Sequence, residues 1–138
     1  MDTNIESRFF EACQNGSVEE VLSLLTMIDH IDIKNEWSRT GLAIAVRNDH
    51  FEVAKILFEN GADVNAINRN GTTIFMYAKT PVFKSNNTTL LRWLLNSGAN
   101  INACDNFGLT VLDYVEKEGN AALQSWLIKN GAKFSHEL

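Results

Sequence analysis

Few side chains in this 138-residue chain could carry chemistry, and their spacing says what kind. Asp113 and Glu116 lie three residues apart, with Glu118 close behind. On a helix that spacing puts two carboxylates on one face, where they could serve as an acid–base pair. Such work needs at least one of them shielded from water with a displaced pKa. Carboxylates on an exposed helix are otherwise simply solvated, so a small enzyme built on Asp113 and Glu116 is the lesser expectation. His30, His50 and His136 follow no i, i+4 or comparable ligand spacing, and no metal site is expected. His50 reads as a helix-start residue, the other two as solvated. Cys13 and Cys104 are expected to be free, partly buried thiols and not a disulfide or a metal pair. No serine or cysteine stands in a nucleophile setting, and no glycine loop is built to cradle phosphate. The residues point away from catalysis, with no cofactor and no small-molecule substrate.

The totals agree. At 138 residues and 45% hydrophobic content, the chain is one compact domain or one short repeat array with ample core. No stretch is long enough to cross a membrane. Met1–Phe10 carries acids and only a two-residue apolar pair, so no signal peptide is expected and the cytoplasm is the expected compartment. The net charge of −5 is unevenly spread. Residues 1–36 hold two bases and eight acids, residues 37–92 seven bases and four acids, and residues 93–138 three bases and five acids. An acidic chain with a mildly basic middle is not a general nucleic-acid binder, whose affinity rests on clustered Lys and Arg. A nucleic-acid-associated regulator using those middle residues stays open as an alternative.

The elements that would position any site are set by a repeat. Asn60–Ile67 reads Asn-Gly-Ala-Asp-Val-Asn-Ala-Ile, returns at Ser97–Cys104 as Ser-Gly-Ala-Asn-Ile-Asn-Ala-Cys, and appears truncated at Asn130–Phe134. Laid in register on the glycine, the chain divides into units of about 1–34, 35–67, 68–104 and 105–138. Each reads as a turn, a short helix, a tight connection and a second helix. The connections are Gly16-Ser17, Asp49-His50, Asn86-Asn87 and Gly119-Asn120. All four first residues tolerate positive φ, and Ser17, Asn87 and Asn120 are good N-caps, Ser17 forming a capping box with Glu20. Second helices carry an i, i+3, i+4 apolar stripe: Val21, Leu24, Leu25; Val53, Ile56, Leu57; Leu90, Leu91, Leu94; Leu123, Trp126, Leu127. First helices carry small residues for close approach, Ala12, Ala45 and Ala78, with Val115 in the last unit. The third unit is four residues longer, and the excess falls in Thr80–Thr88. Pro81-Val82-Phe83-Lys84 is expected there as an exposed loop, either a binding element or a tolerated insertion.

These residues resemble the ankyrin repeat over essentially the whole chain. The resemblance rests on Thr40–Ala45, Glu52-Val53, Leu57 and Gly61–Ala66; on Gly71-Thr72-Thr73, Ala78, Leu94-Leu95 and Gly98–Ala103; and on Asp105–Thr110, Gly119 and Gly131-Ala132. It implies an all-α solenoid of four helix–turn–helix repeats with protruding β-turn loops. The family's Thr-Pro-Leu-His helix start appears as Thr-Gly-Leu-Ala, Thr-Ile-Phe-Met and Thr-Val-Leu-Asp. Proline preorganisation is thereby lost, as is a histidine that ties turns together, so a less stable array is expected. Asp113, in the histidine's place, suits the helix dipole. The first and last units read as polar caps of a complete array, through Glu6, Arg8, Glu11 and Glu19 and through Gln124, Ser125 and Lys129.

The resemblance also implies a groove made by the turn tips and the exposed face of the first helices. The tips would be Glu36, Trp37 and Arg39; Arg69, Asn70 and Thr72; Asn106, Phe107 and Leu109. The helix face would add Gln14, Asn15, Arg47, Asn48, Thr80, Lys117 and Glu118, with Phe83 on the insertion. Trp37 and Phe107 hold the same tip position, where they could anchor a partner or pack on the adjacent turn. Trp93 and Trp126 are expected between repeats, and Tyr77 and Tyr114 in the core or at the groove edge. Arg39, Arg47 and Arg69 would make the groove basic and steer a partner bearing an acidic patch. The expected function is a monomeric, non-catalytic protein-binding module acting as inhibitor, immunity-like protein or scaffold.

Overall fold

The computed structural model describes residues 3–138; Met1 and Asp2, the start of the first unit, lie outside the described residues. Its helices are α1 (Thr3–Asn15), α2 (Val18–Leu25), α3 (Gly41–Arg47), α4 (Phe51–Glu59), α5 (Ile74–Ser85), α6 (Thr89–Asn96), α7 (Val111–Glu118) and α8 (Ala121–Lys129). α1 packs on α3, α3 on α5 and α5 on α7, and each second helix packs behind its own first helix. The sequence stripes explain the stacking. Leu24, Leu57 and Leu94 are fully enclosed and Leu127 nearly so; Ala45, Ala78 and Val115 are fully buried, letting the first helices approach closely. Burying each leucine contributes about 1.5–3 kcal/mol. Trp93 meets Phe51 and Phe58 edge-on at 5.5 and 5.7 Å, and the Arg92 guanidinium lies over Trp126, so both tryptophans join neighbouring repeats as expected.

Repeated threonines begin three of the first helices, and the structure gives the reason. Thr40, Thr73 and Thr110 are buried N-caps whose hydroxyls accept from the amides of Ala43, Met76 and Asp113 at 3.2, 3.1 and 3.3 Å. Such a cap is worth about 1 kcal/mol. All four helix–helix connections turn through positive φ, at Gly16, Asp49, Asn86 and Gly119. Asn120 caps α8 by accepting from Leu123 at 3.0 Å. Ser17 does not form its expected capping box: its side chain makes no cap bond, and Glu20, the other half of the box, pairs with Arg8 at 2.7 Å. The cap of α6 falls on Thr88, while Asn87 accepts from the Thr89 amide at 3.0 Å. His50 begins α4 as expected and also joins repeats, its Nε2 lying 2.8 Å from the Gln14 carbonyl oxygen and its ring against Gly16.

The insertion is corrected. Residues 80–85 continue α5 by about one turn, so only Asn86, Asn87 and Thr88 connect it to α6. Pro81 lies inside the helix with Val82, both buried, and Phe83 is half-buried. Proline costs a backbone hydrogen bond there; burial of Pro81 and Val82 offsets it, and Asn86 in the left-handed region at φ 57 ends the helix.

Candidate functional site

The turn tips between repeats are templated by one side chain each. Asn35 Oδ1 accepts from the amides of Trp37 and Arg39, both at 3.0 Å. Asn68 Oδ1 does the same for Asn70 and Thr72 at 2.8 and 2.9 Å, and Asp105 Oδ1 for Phe107 and Leu109 at 3.0 and 3.1 Å. These Asx turns close the loops locally, and antiparallel bridges pair Lys34 with Thr40 and Ile67 with Thr73. Successive tips are then stitched together. Arg69 donates to the Glu36 carbonyl at 2.8 Å, and Asn106 donates its amide to Asn70 O and its Nδ2 to Arg69 O, both at 2.9 Å. Behind the tips a second set of rungs runs from Asn65 to Gly98 and Asn100, and from Asn102 to Gly131 and Lys133. The array therefore presents its tip side chains from a fixed rail.

Two tyrosines do the tying that the missing histidines would do. The Tyr77 hydroxyl accepts from Asn68 Nδ2 at 2.9 Å and from Arg39 Nε at 3.3 Å, and the Arg39 guanidinium lies over its ring. The Tyr114 hydroxyl donates to Asp105 Oδ2, and Lys79 lies over that ring. Partial burial, the hydrogen bond to Asp105 and that carboxylate's charge push the Tyr114 pKa up to about 12. The Cys13 thiol is likewise pushed up to about 12 by burial, while Cys104 is exposed; the expectation of two partly buried thiols is thus corrected to one of each.

Of the expected groove residues, Glu36, Trp37, Arg39, Arg47 and Asn48 converge on one depression of about 850 Å³, together with Gln14 and Asn15. α1 forms one wall, the Lys34–Thr40 turn the rim and α3 the other wall. Trp37 stands at the rim 64% exposed, and Ile44 is buried in the floor beside half-buried Phe10. Phe107 is 71% exposed on its own tip two repeats away, outside the depression. Asn70, Asn106, Thr80 and Lys117 are exposed, Thr72 and Leu109 half-buried, and none of these lines it. Glu118 is drawn into an ion pair with Lys79 at 2.8 Å. Asn48 spends its amide on the Ile44 carbonyl at 2.8 Å, ending α3.

The groove is not uniformly basic. Arg39 is committed to Tyr77 and Arg69 to the Glu36 carbonyl, and Glu6, Glu11 and Glu36 line the depression beside Lys34, Arg39 and Arg47. Glu6 and Glu11 read as cap residues in the sequence; their spacing with Phe10 and Gln14, on the α1 face adjoining buried Phe9, Ala12 and Cys13, is the signal that puts them at the depression. The carboxylate pair does not assemble either. Glu116 is exposed, and Asp113 accepts from the amides of Thr110 at 2.8 Å and Ser135 at 3.2 Å, completing a capping box. Partial desolvation opposes ionisation of Asp113, but those hydrogen bonds outweigh it and hold the carboxyl below its usual range. Asp113 therefore serves the fold as a capping anion, tying Thr110 to Ser135. Among the described residues no group of three His, Cys, Asp or Glu is placed to hold a metal, and no helix is long and apolar enough to cross a membrane.

Paired helices, templated tips and a groove along the first helices fit one repeat family, and comparison with known proteins decides it. A family profile described as ankyrin repeats in three copies matches residues 9–102, and one described as ankyrin repeats in many copies matches residues 82–128. The chain belongs to the ankyrin repeat family. It is 36% identical to an ankyrin repeat protein of Rickettsia bellii (strain RML369-C) over 104 residues, which is 72% of this chain and 15% of that protein. It is 26% identical to the B-cell lymphoma 3 protein homolog of Mus musculus over 137 residues, 96% of this chain and 30% of that one. It is 33% identical to neurogenic locus notch homolog protein 1 of Homo sapiens over 132 residues, 95% of this chain and 5% of that one. The chain thus spans between 5 and 30% of the length of these relatives. Ankyrin repeats are in general non-catalytic protein–protein interaction modules.

Proposed function

We propose that this chain works without catalysis, by binding another protein through its groove, as an inhibitor, immunity-like protein or scaffold. The observation that carries this reading is Trp37: a 64% exposed indole at the rim of an 850 Å³ depression, on a turn held by Asn35. A large aromatic kept in water on a rigid mount is what an interface anchor requires, since little order is lost when it is buried. The mixed charge of the depression favours a protein surface over nucleic acid, which would ask for unopposed Lys and Arg. On this reading the protein acts in the cytoplasm as a monomer.

The test is capture of partners from lysate of the source cells by the wild-type chain and by a Trp37→Ala/Arg47→Glu double variant. Both side chains are exposed, so the variant should melt within a degree or two of wild type. A protein retained by the wild type and lost by the variant supports the groove. Equal retention by both moves the site elsewhere, first to the Phe107 tip.

A further inference from the structure

The depression between α1 and α3 says more about its occupant than that it is a protein. Six charged residues line it, three acids and three bases, but they are not equally available. Lys34 is turned to the Ile67 carbonyl, with Nζ to O at 2.7 Å, and Arg39 is held on Tyr77 by its Nε bond and its stacking over the ring. Glu6, Glu11 and Glu36 make no ion pair among the described residues, nor does Arg47. Carboxylates alone would be no more than a solvated face. Here they surround a concavity whose rim is the exposed Trp37 indole and whose side is the half-buried Phe10 ring.

We propose, resting on the groove reading above, that this depression receives a lysine or arginine side chain from an extended segment of the partner protein. The aliphatic stem would lie along Phe10 and Ile44, as long basic side chains cover apolar surface while their heads stay polar. The cationic head would meet the Trp37 ring face, tryptophan being the best of the aromatic partners for a cation, with Glu6, Glu11 and Glu36 around it. Arg47, on the opposite wall, would meet an acidic residue of the same segment and so set its direction across the groove. The occupant is therefore basic at the anchor, the reverse of the acidic-patch partner suggested by the arginine count alone.

A library of randomised nine-residue peptides displayed on phage, panned against the folded chain, supplies the probe. Selected peptides should share one Lys or Arg, and fluorescence anisotropy of the synthesised peptides should show a Kd rising with salt. Glu11→Lys and Trp37→Ala should each weaken binding about three- to tenfold, up to about 1.4 kcal/mol, as should replacing the peptide's basic residue with norleucine. Phe107→Ala should leave binding unchanged. Selection of acid-rich peptides, indifference to Glu11→Lys and Trp37→Ala, or no selection at all overturns the proposal. If binding is lost on Arg47→Glu yet untouched by Glu11→Lys and Trp37→Ala, the groove stands and only the basic anchor fails. If no groove substitution matters, both fail.

Discussion

Removing one hydroxyl from either tying tyrosine should destabilise the fold by unequal and calculable amounts. Tyr77→Phe deletes one acceptor shared by Asn68 Nδ2 at 2.9 Å and Arg39 Nε at 3.3 Å. Both donors are neighbours of solvent and can recover water, and the ring under Arg39 remains, so the expected cost is near a single ordinary hydrogen bond, about 1 kcal/mol. Tyr114→Phe is different. Asp105 is only 8% exposed, and its Oδ2 loses its hydroxyl donor while Oδ1 keeps the amides of Phe107 and Leu109. A hydrogen bond to a charged group is worth about 1.5–3 kcal/mol, and the buried carboxylate is left short of a donor. Urea unfolding with an unchanged m-value should therefore rank Tyr114→Phe below Tyr77→Phe by about 1 kcal/mol. The pH dependence gives a second reading. The folded Tyr114 pKa, near 12, is raised above the ordinary value of 10, so folding favours the protonated phenol. Its contribution is intact below pH 10 and is lost as pH rises toward 12; Tyr114→Phe should flatten stability in that window. Equal losses from the two variants, or an unchanged alkaline limb, would refute the view that these hydroxyls replace the missing histidines.

Two further outcomes follow from local geometry. A colourless-to-coloured thiol reagent at pH 8 should titrate one cysteine per native chain and two after unfolding, because Cys104 is exposed while burial raises the Cys13 pKa to about 12 and leaves little thiolate; two fast thiols in the native chain would contradict the burial of α1 against its neighbours. Ser38→Gly should stabilise the fold by about 0.5–1 kcal/mol, since Ser38 sits at φ 62, where a non-glycine residue costs about 1–2 kcal/mol and glycine's looser unfolded chain returns only part of that. A drop in thermal midpoint would show that the serine is held there by more than its backbone.

The paired helices were legible because each stripe repeats at helical spacing and each connection offers a residue suited to positive φ; Gly16, Asp49, Asn86 and Gly119 all adopt it. The insertion was misread because Pro81 is a breaker in isolation. In the fold its missing amide lies inside a helix whose added turn buries Pro81 and Val82, and tertiary burial overrides local propensity. That Glu36, Trp37, Arg39, Arg47 and Asn48 share one depression was legible from their repeat positions, but the depression's charge was not. Counting arginines located Arg39 and Arg69, but their partners, Tyr77 and the Glu36 carbonyl, lie 38 and 33 residues away, at separations that only the stacking of repeats closes. Glu6 and Glu11 were hidden for a related reason: a polar face on a terminal helix looks the same whether it meets solvent or lines a depression.

The three turn tips differ at one point that bears on function. Where Ser38 stands in the first, Gly71 and Gly108 stand in the second and third, and all three have φ between 62 and 77. Glycine reaches that region without strain, and short Asx side chains such as Asp49 and Asn86 reach it at reduced cost. Serine has less relief, so the first tip carries a penalty the other two avoid. It is also the tip that bears Trp37 and rims the depression. Strain retained at one of three equivalent positions needs surroundings that over-determine it, and such positions cluster at ligand-binding turns. A glycine there would widen the backbone freedom of the residue beside the indole. Ser38→Gly should therefore stabilise the fold while weakening whatever Trp37 anchors, and a variant that gained in both would break the link between this strained turn and the groove.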